Sequence, residues 1–271
     1  MMQLGISSYT YTWAVEVPGF PVPETPLTVP GLIDKAIEQE VKVVQIADNL
    51  PLHQLTEREL QHCKKYADQA GIHLEVGTRG IEADLLLTYL DIAKTLGSPF
   101  VRTIIHMQDG TPSTQETITL LQKIMPAYEK AGVDLAIENH DRHTVDELIE
   151  IIEAVGSSRV GICLDTVNSF GALEAPDYVV QQLAPYTLNV HIKDFTVDRV
   201  QSQMGFSVVG CAAGEGMLDI DQVLERLSLL GREPNVILEL WTPFEDSIEQ
   251  TLEVEEEWAN RSITFLKERL S

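Results

Sequence analysis

The sequence is poor in basic residues: 19 Lys and Arg stand against 42 Asp and Glu, a formal net charge of −23. Nucleic acid is bound through Lys and Arg set against phosphates, and anionic membrane surfaces attract the same residues, so this balance works against both. Long apolar runs are missing as well. No stretch of about 18 apolar residues is present to span a bilayer. The opening MMQLGISSYT has no basic segment followed by an apolar one, the pattern of a secretory signal. Cysteine is scarce: Cys63, Cys163 and Cys211 lie far apart in 271 residues. That usage suits a reducing cytoplasm better than a disulfide framework, so a cytoplasmic location is expected. Finally, SSYTYTW follows the first apolar strand where an open dinucleotide-binding sheet would carry a glycine-rich loop.

What is present is an alternation of element types without repetition of residue identity. Short apolar, β-rich runs fall at 4–13, 42–48, 73–80, 100–106, 134–140, 160–168, 188–194 and 236–241. Amphipathic stretches separate them. Thr56/Glu59, Ser113/Glu116 and Thr144/Glu147 have the spacing of capping boxes at helix starts. Gly71, Gly97, Gly132, Gly156 and Gly231 follow helical runs, where a left-handed residue closes the last turn. Leu148, Ile151, Ile152 and Val155 recur at three- and four-residue spacing, and a final helix is expected over roughly 247–269. Eight near-continuously apolar strands, each followed by a helix, predict an α/β fold: a (β/α)₈ TIM barrel, with 1–271 as a single domain. Two insertions, 15–30 and 196–217, follow the first and seventh strands. They are expected at the C-terminal face, where such barrels bind substrate.

Polar groups collect at the C-terminal ends of the last four strands. Glu138 ends the fifth, Asp165 the sixth, His191 lies on the seventh and Glu239 on the eighth. Strand alternation puts Ala136, Cys163, Asn189 and Ile237 on the same interior face. Ile137, Leu164, Ile192 and Leu238 then face the helices. Three carboxylates cannot stay ionised in one mouth without a cation. One divalent metal ion, Mn²⁺, Mg²⁺, Co²⁺ or Zn²⁺, satisfies a set of carboxylates and one imidazole.

The segments IENH, CLDTVN, HIKD and ELW, with GEG at 214–216, resemble the sugar phosphate isomerase/epimerase superfamily, the xylose-isomerase-like TIM barrels. The resemblance runs from GISSYT to ILELW. It implies that Glu138, Asp165, His191 and Glu239 are metal ligands. It also implies that Glu138 and Glu239 are catalytic, moving protons on opposite faces of a small sugar through an enediolate. The ketose 3-epimerases of that family carry a His three residues after the strand-six Asp; here Asn168 stands there, and an amide cannot shuttle a proton. The segments VVQIADNLPL, EVGTRG, CLDTVNSFGALE and ILELWTP are similar to a subgroup that decarboxylates a branched 3-oxo sugar acid, 3-oxo-isoapionate. A metal-dependent sugar isomerase or epimerase is therefore the broad expectation, with a 3-oxo acid decarboxylase as the alternative. A non-catalytic sugar-binding protein would not require the full ligand set. Abasic-site endonucleases on the same barrel need further His ligands and a basic face.

Substrate contacts are expected from Lys193, which shares the His191 face, and from His140, Asn168 and His106 at strand ends. Lys193, Arg79 and Arg102 are candidates to hold a carboxylate, and Arg199 to close over the ligand from the strand-seven insertion. Asp194 fits a loop-holding role as well as a ligand contact. Trp13, Trp241 and Phe206 are candidate pocket walls. The expected partner is a small carbohydrate, and a homo-oligomer is a family-level expectation.

Overall fold

Three helices start where the sequence spells out a capping box. Thr56, Ser113 and Thr144 each accept the backbone N–H of the Glu three residues on, and that Glu accepts the cap residue's own N–H in return. Gly71, Gly97, Gly132 and Gly156 end their helices at φ between 68° and 74°, a conformation a β-carbon disfavours.

The computed structural model describes residues 2–108 and 110–270. Its strands are β1 (Leu4–Ser7), β2 (Val43–Ile46), β3 (His73–Gly77), β4 (Phe100–Thr103), β5 (Asp134–Glu138), β6 (Val160–Asp165), β7 (Thr187–Ile192), β8 (Asp194–Arg199), β9 (Phe206–Cys211) and β10 (Val236–Leu238). All but β8 and β9 pair in parallel as a closed barrel, in the order β1-β10-β7-β6-β5-β4-β3-β2. The helices are α1 (Thr12–Val15), α2 (Val29–Glu38), α3 (Glu57–Ala70), α4 (Ala83–Leu96), α5 (Thr114–Ala131), α6 (Val145–Val155), α7 (Pro176–Leu183), α8 (Ile220–Leu229) and α9 (Ile248–Leu270).

Alternation along the strands sorts the side chains as expected. Ile137, Leu164, Ile192 and Leu238 join one large core with helix residues such as Leu86, Leu121, Leu148 and Ile263. Ala136 and Cys163 instead meet Phe100 in a small separate cluster.

Several boundaries differ from the sequence reading. The first strand stops at Ser7, because Ser7 and Thr10 exchange hydrogen bonds across a tight turn and the Thr10 hydroxyl donates to the Leu238 carbonyl. Trp13 therefore lies in α1, not in a strand. The eighth barrel strand ends at Leu238, where Leu240 N–H turns to the Tyr9 carbonyl. Glu239 sits just past it. His106 lies in the loop beyond β4, and its carbonyl accepts the N–H of Ile81. The strand-seven insertion begins as the antiparallel β8–β9 hairpin.

Candidate active site

Parallel register brings the late strand ends together. Asp165 is the lateral partner of His191, and Ile237, two residues before Glu239, is the partner of His191 on the other side. Glu138, Asp165, His191 and Glu239 are all buried. His191 Nδ1 lies 3.4 Å from a carboxylate oxygen of Glu138, 3.4 Å from one of Glu239 and 3.8 Å from one of Asp165. This Nδ1 has no hydrogen-bond partner among the described residues. A buried ring nitrogen without a partner is costly. Asp165, His191 and Glu239 gather ligand atoms of the kinds that suit a divalent cation, and so do Glu138, Cys163 and His191. The local charge agrees: Arg102 and Lys193 answer only part of the charge of Glu138, Asp165, Glu239 and Asp48.

Two fixed cations brace the carboxylates. Arg102, on β4, donates from Nε to Glu138 Oε2, and from Nη1 to Asp48 Oδ1 at 2.8 Å and the Thr78 carbonyl at 3.1 Å. Lys193 Nζ is 2.8 Å from Asp165 Oδ2 and 2.8 Å from Glu239 Oε2. Asn168 Nδ2 donates to Glu138 Oε1 at 2.7 Å, and the Ser7 hydroxyl to Glu239 Oε1 at 2.9 Å. Burial alone would raise the pKa of Glu239; His191, Lys193 and Arg102 outweigh it and hold the group at about 2. Burial would likewise lower Lys193, but Asp165, Glu239 and Glu138 push it well above the ordinary lysine range. Lys193 is thus a permanent ammonium, not a proton shuttle.

Above this cluster opens a cavity of about 340 Å³ at the C-terminal face. Glu138, Glu239, His140, Asn168, Lys193, Arg79 and Arg102 line it, with Trp13, Trp241, Ile104 and Leu240 as apolar wall. Asp165 and His191 are not in its lining. Trp13 is set by its indole N–H, 2.7 Å from the Thr242 carbonyl, and by ring contacts to Phe20 and Phe244. The backbone N–H groups of Trp13 and Ala14 donate to the two oxygens of buried Glu255 on α9, at 2.8 and 3.0 Å. Arg79 is exposed at the mouth, with no hydrogen bond or ion pair among the described residues. With His140 and Arg142 it helps hold the Asp141 carboxyl low against partial burial. His140 Nδ1 lies 2.6 Å from Asp141 Oδ1.

The remaining candidates fall elsewhere. Arg199, on the exposed hairpin, lays its guanidinium 4.6 Å from the Phe206 ring and donates to the Gln203 carbonyl. Neither Arg199, Phe206 nor His106 lines the cavity. Asp194 holds a loop: its carboxylate accepts the N–H groups of Phe195, Gly214, Gly216 and Leu218 at 2.8–3.0 Å. A β-carbon at Gly216 would collide with that carboxylate, and one at Gly214 with the Phe265 ring.

Sequence reasoning passed over Tyr9, Asp48, Gln45 and Glu75. Tyr9 lines the cavity and its hydroxyl donates to Asp48 Oδ2 at 3.1 Å. Gln45 and Glu75 are buried inside the barrel beneath His191. Burial pushes Glu75 up to about 7 against the pull of donors from Asn235, Gln45 and Asn189. For Gln45 and Glu75 the signal was available: each is a polar residue on the interior face of a largely apolar strand.

Comparison with known proteins agrees with this architecture. The chain is 32% identical over 270 residues to a 3-oxo-isoapionate decarboxylase of Pectobacterium atrosepticum, covering 99% of this chain and 96% of that one. A D-psicose 3-epimerase of Clostridium cellulolyticum H10, crystallised with D-tagatose, superposes with a TM-score of 0.72 at 16% identity, over 99% of this chain and 98% of that one. A barrel protein of Mycobacterium smegmatis in complex with magnesium gives a TM-score of 0.69 at 14% identity, over 98% and 97%. Residues 33–269 match the model of one family, and with the closed parallel barrel this places the chain: it belongs to the xylose isomerase-like TIM barrel family.

Proposed function

We propose that this protein is a metal-dependent decarboxylase of a small 3-oxo sugar acid. The observation that carries the reading is the state of the two site glutamates. A base that removes a proton from carbon works best with a pKa near the working pH. Glu239 is held at about 2, and both oxygens of Glu138 are occupied, one by the Arg102 guanidinium and one by the Asn168 amide. Glu239 is thus held as an anion, and each Glu138 oxygen already accepts a hydrogen bond. Loss of CO₂ from a β-keto carboxylate needs no base: the C–C bond breaks, its electron pair becomes the new C=C bond, the carbonyl π pair moves onto the ketone oxygen, and an enolate is left. The 32% identity to a 3-oxo-isoapionate decarboxylase supports the same chemistry.

Glu138, Asp165, His191 and Glu239 would hold the cation, and a divalent ion there supplies a Lewis acid for the ketone oxygen. The chain's own groups do the rest. Arg79 at the mouth is the cation free to draw in the substrate carboxylate. The Lys193 ammonium, fixed between Asp165 and Glu239, offsets negative charge growing on oxygen. Trp13, Ile104 and Leu240 give the departing CO₂ an apolar wall. His140, paired with Asp141, is placed to return a proton to carbon.

The second reading is ketose isomerisation or epimerisation, favoured by the presence of both glutamates on the cavity wall. The test is direct. CO₂ release from a 3-oxo sugar acid, without deuterium entering ketoses in D₂O, is the expected result. Exchange at an α carbon of a ketose without CO₂ release would overturn the proposal in favour of the second reading.

A further inference from the structure

The barrel interior below the site holds a hydrogen-bonded chain with one consistent direction. Glu75 Oε2 accepts from Gln45 Nε2 at 3.0 Å and from Asn189 Nδ2 at 3.2 Å; Glu75 Oε1 accepts from Asn235 Nδ2 at 2.7 Å. Gln45 Nε2 also donates to Asn189 Oδ1 at 2.9 Å. That amide nitrogen therefore lies between two acceptors. Turning the amide over would set its carbonyl oxygen against a carboxylate and an amide oxygen, so its orientation is fixed. Asn189 is fixed in the same way, its Nδ2 lying between Glu75 and the Asn235 carbonyl at 3.3 Å. Gln45 Oε1 is left pointing up at His191 Nε2, 2.6 Å away. The Cys163 sulfur lies 3.2 Å from the same nitrogen. Its thiol proton has an acceptor in Asn189 Oδ1 at 3.5 Å, so the sulfur also presents lone pairs to the ring.

We propose that Glu75 and Gln45 are positioning residues: through the direction of this chain they hold a proton on His191 Nε2 and leave Nδ1 as the nitrogen that faces Glu138, Asp165 and Glu239. The two ring nitrogens of a histidine are distinguished by the hydrogen bond that one of them makes, and a partner on the far nitrogen orients the ring and raises its basicity. Here the partner is an amide whose own direction is set one step further down by a carboxylate. The consequence for a cation rests on the reading of His191 as a ligand; the tautomer does not.

The test is ¹⁵N NMR of histidine-labelled, metal-free protein, with His191 assigned from a His191→Asn spectrum, alongside titration with Mn²⁺. In the wild type His191 should carry a proton on Nε2, whatever the state of Nδ1. Gln45→Met, close in volume, should erase that preference and weaken Mn²⁺ binding by about 10–100-fold. Glu75→Leu should act in the same direction. Glu75→Gln should restore the wild-type tautomer, since its carbonyl can still accept from Gln45 once Asn235 turns over. If Gln45→Met fails to fold, the wild-type spectrum and the Glu75→Gln variant still decide. A wild-type His191 without a proton on Nε2, or a Gln45→Met protein with unchanged Nε2 protonation and affinity, overturns the proposal. A tautomer that responds to Gln45 in a protein that binds no Mn²⁺ upholds the chain and sinks the metal reading.

Discussion

The two faces of the same strands obey different rules. Leu164 and Asp165 are neighbours on β6 and both are fully buried, yet one joins the large apolar core and the other joins a charged cluster with Lys193. On the outer face, stability comes from apolar area, and each contact is replaceable by another of similar shape. On the inner face, near the mouth, charges are kept out of water, and each depends on a specific partner. Burial alone therefore says nothing about role. The teaching difference is what a deletion leaves behind: a void outside, an unanswered charge inside.

That contrast can be broken experimentally. The largest effect is expected for Glu239→Gln. It should lower the proposed decarboxylation about 10²–10³-fold, in the range seen when one essential electrostatic group is lost. Mn²⁺ affinity should fall with it, and the metal-free protein should also lose some stability, because Lys193 is left with one buried carboxylate fewer. A large loss of metal-free stability with intact metal binding would show that the cluster serves the fold. Leu164→Ala, one residue from Asp165, should do the reverse. It should destabilise by about 2–5 kcal/mol in denaturant unfolding and leave kcat of the folded enzyme within twofold. Arg79→Ala should raise KM about 10-fold or more for a carboxylate-bearing substrate, with nearly unchanged stability, because its guanidinium is exposed and makes no hydrogen bond or ion pair among the described residues. A rise confined to kcat would remove Arg79 from substrate capture.

The smallest effect concerns Glu255. Burial raises it to about 8, against the two backbone N–H groups it accepts from Trp13 and Ala14. A carboxyl whose folded pKa lies above its unfolded value favours the fold most below the unfolded value, and that advantage fades as pH rises to the folded one. The Glu255→Gln variant should therefore lose less stability relative to wild type at pH 9 than at pH 5. Melting curves at the two pH values read this directly, and a gap that widens toward pH 9 would reverse the assignment.

Much of this was legible in the chain itself. Capping boxes such as Thr56/Glu59 and closing glycines such as Gly71 act within a few residues, so a local pattern reports them faithfully. Alternation correctly put Glu138, Asp165, His191 and Glu239 on one face. Strand ends were harder, because the turn that stops β1 depends on Thr10 reaching Leu238, 228 residues away. The Gln45–His191 contact spans 146 residues, and the Arg102–Glu138 pair spans 36. Period-two spacing reports the face of a side chain but not its partner across a closed barrel. For that reason Arg102 read as a free substrate cation, while in the folded protein its charge is already shared between Glu138 and Asp48.

The Glu255 clamp also sets a timetable. Trp13 is made well before the carboxyl group that holds its backbone, which lies 242 positions later. The β1–β10 seam waits for residues 236–238 in the same way. On the ribosome, β1 can meet β2 early through one edge, but its other edge and the backbone of Trp13 wait until nearly all of the barrel has been synthesised. The pocket wall around Trp13 is therefore completed only when α9 docks.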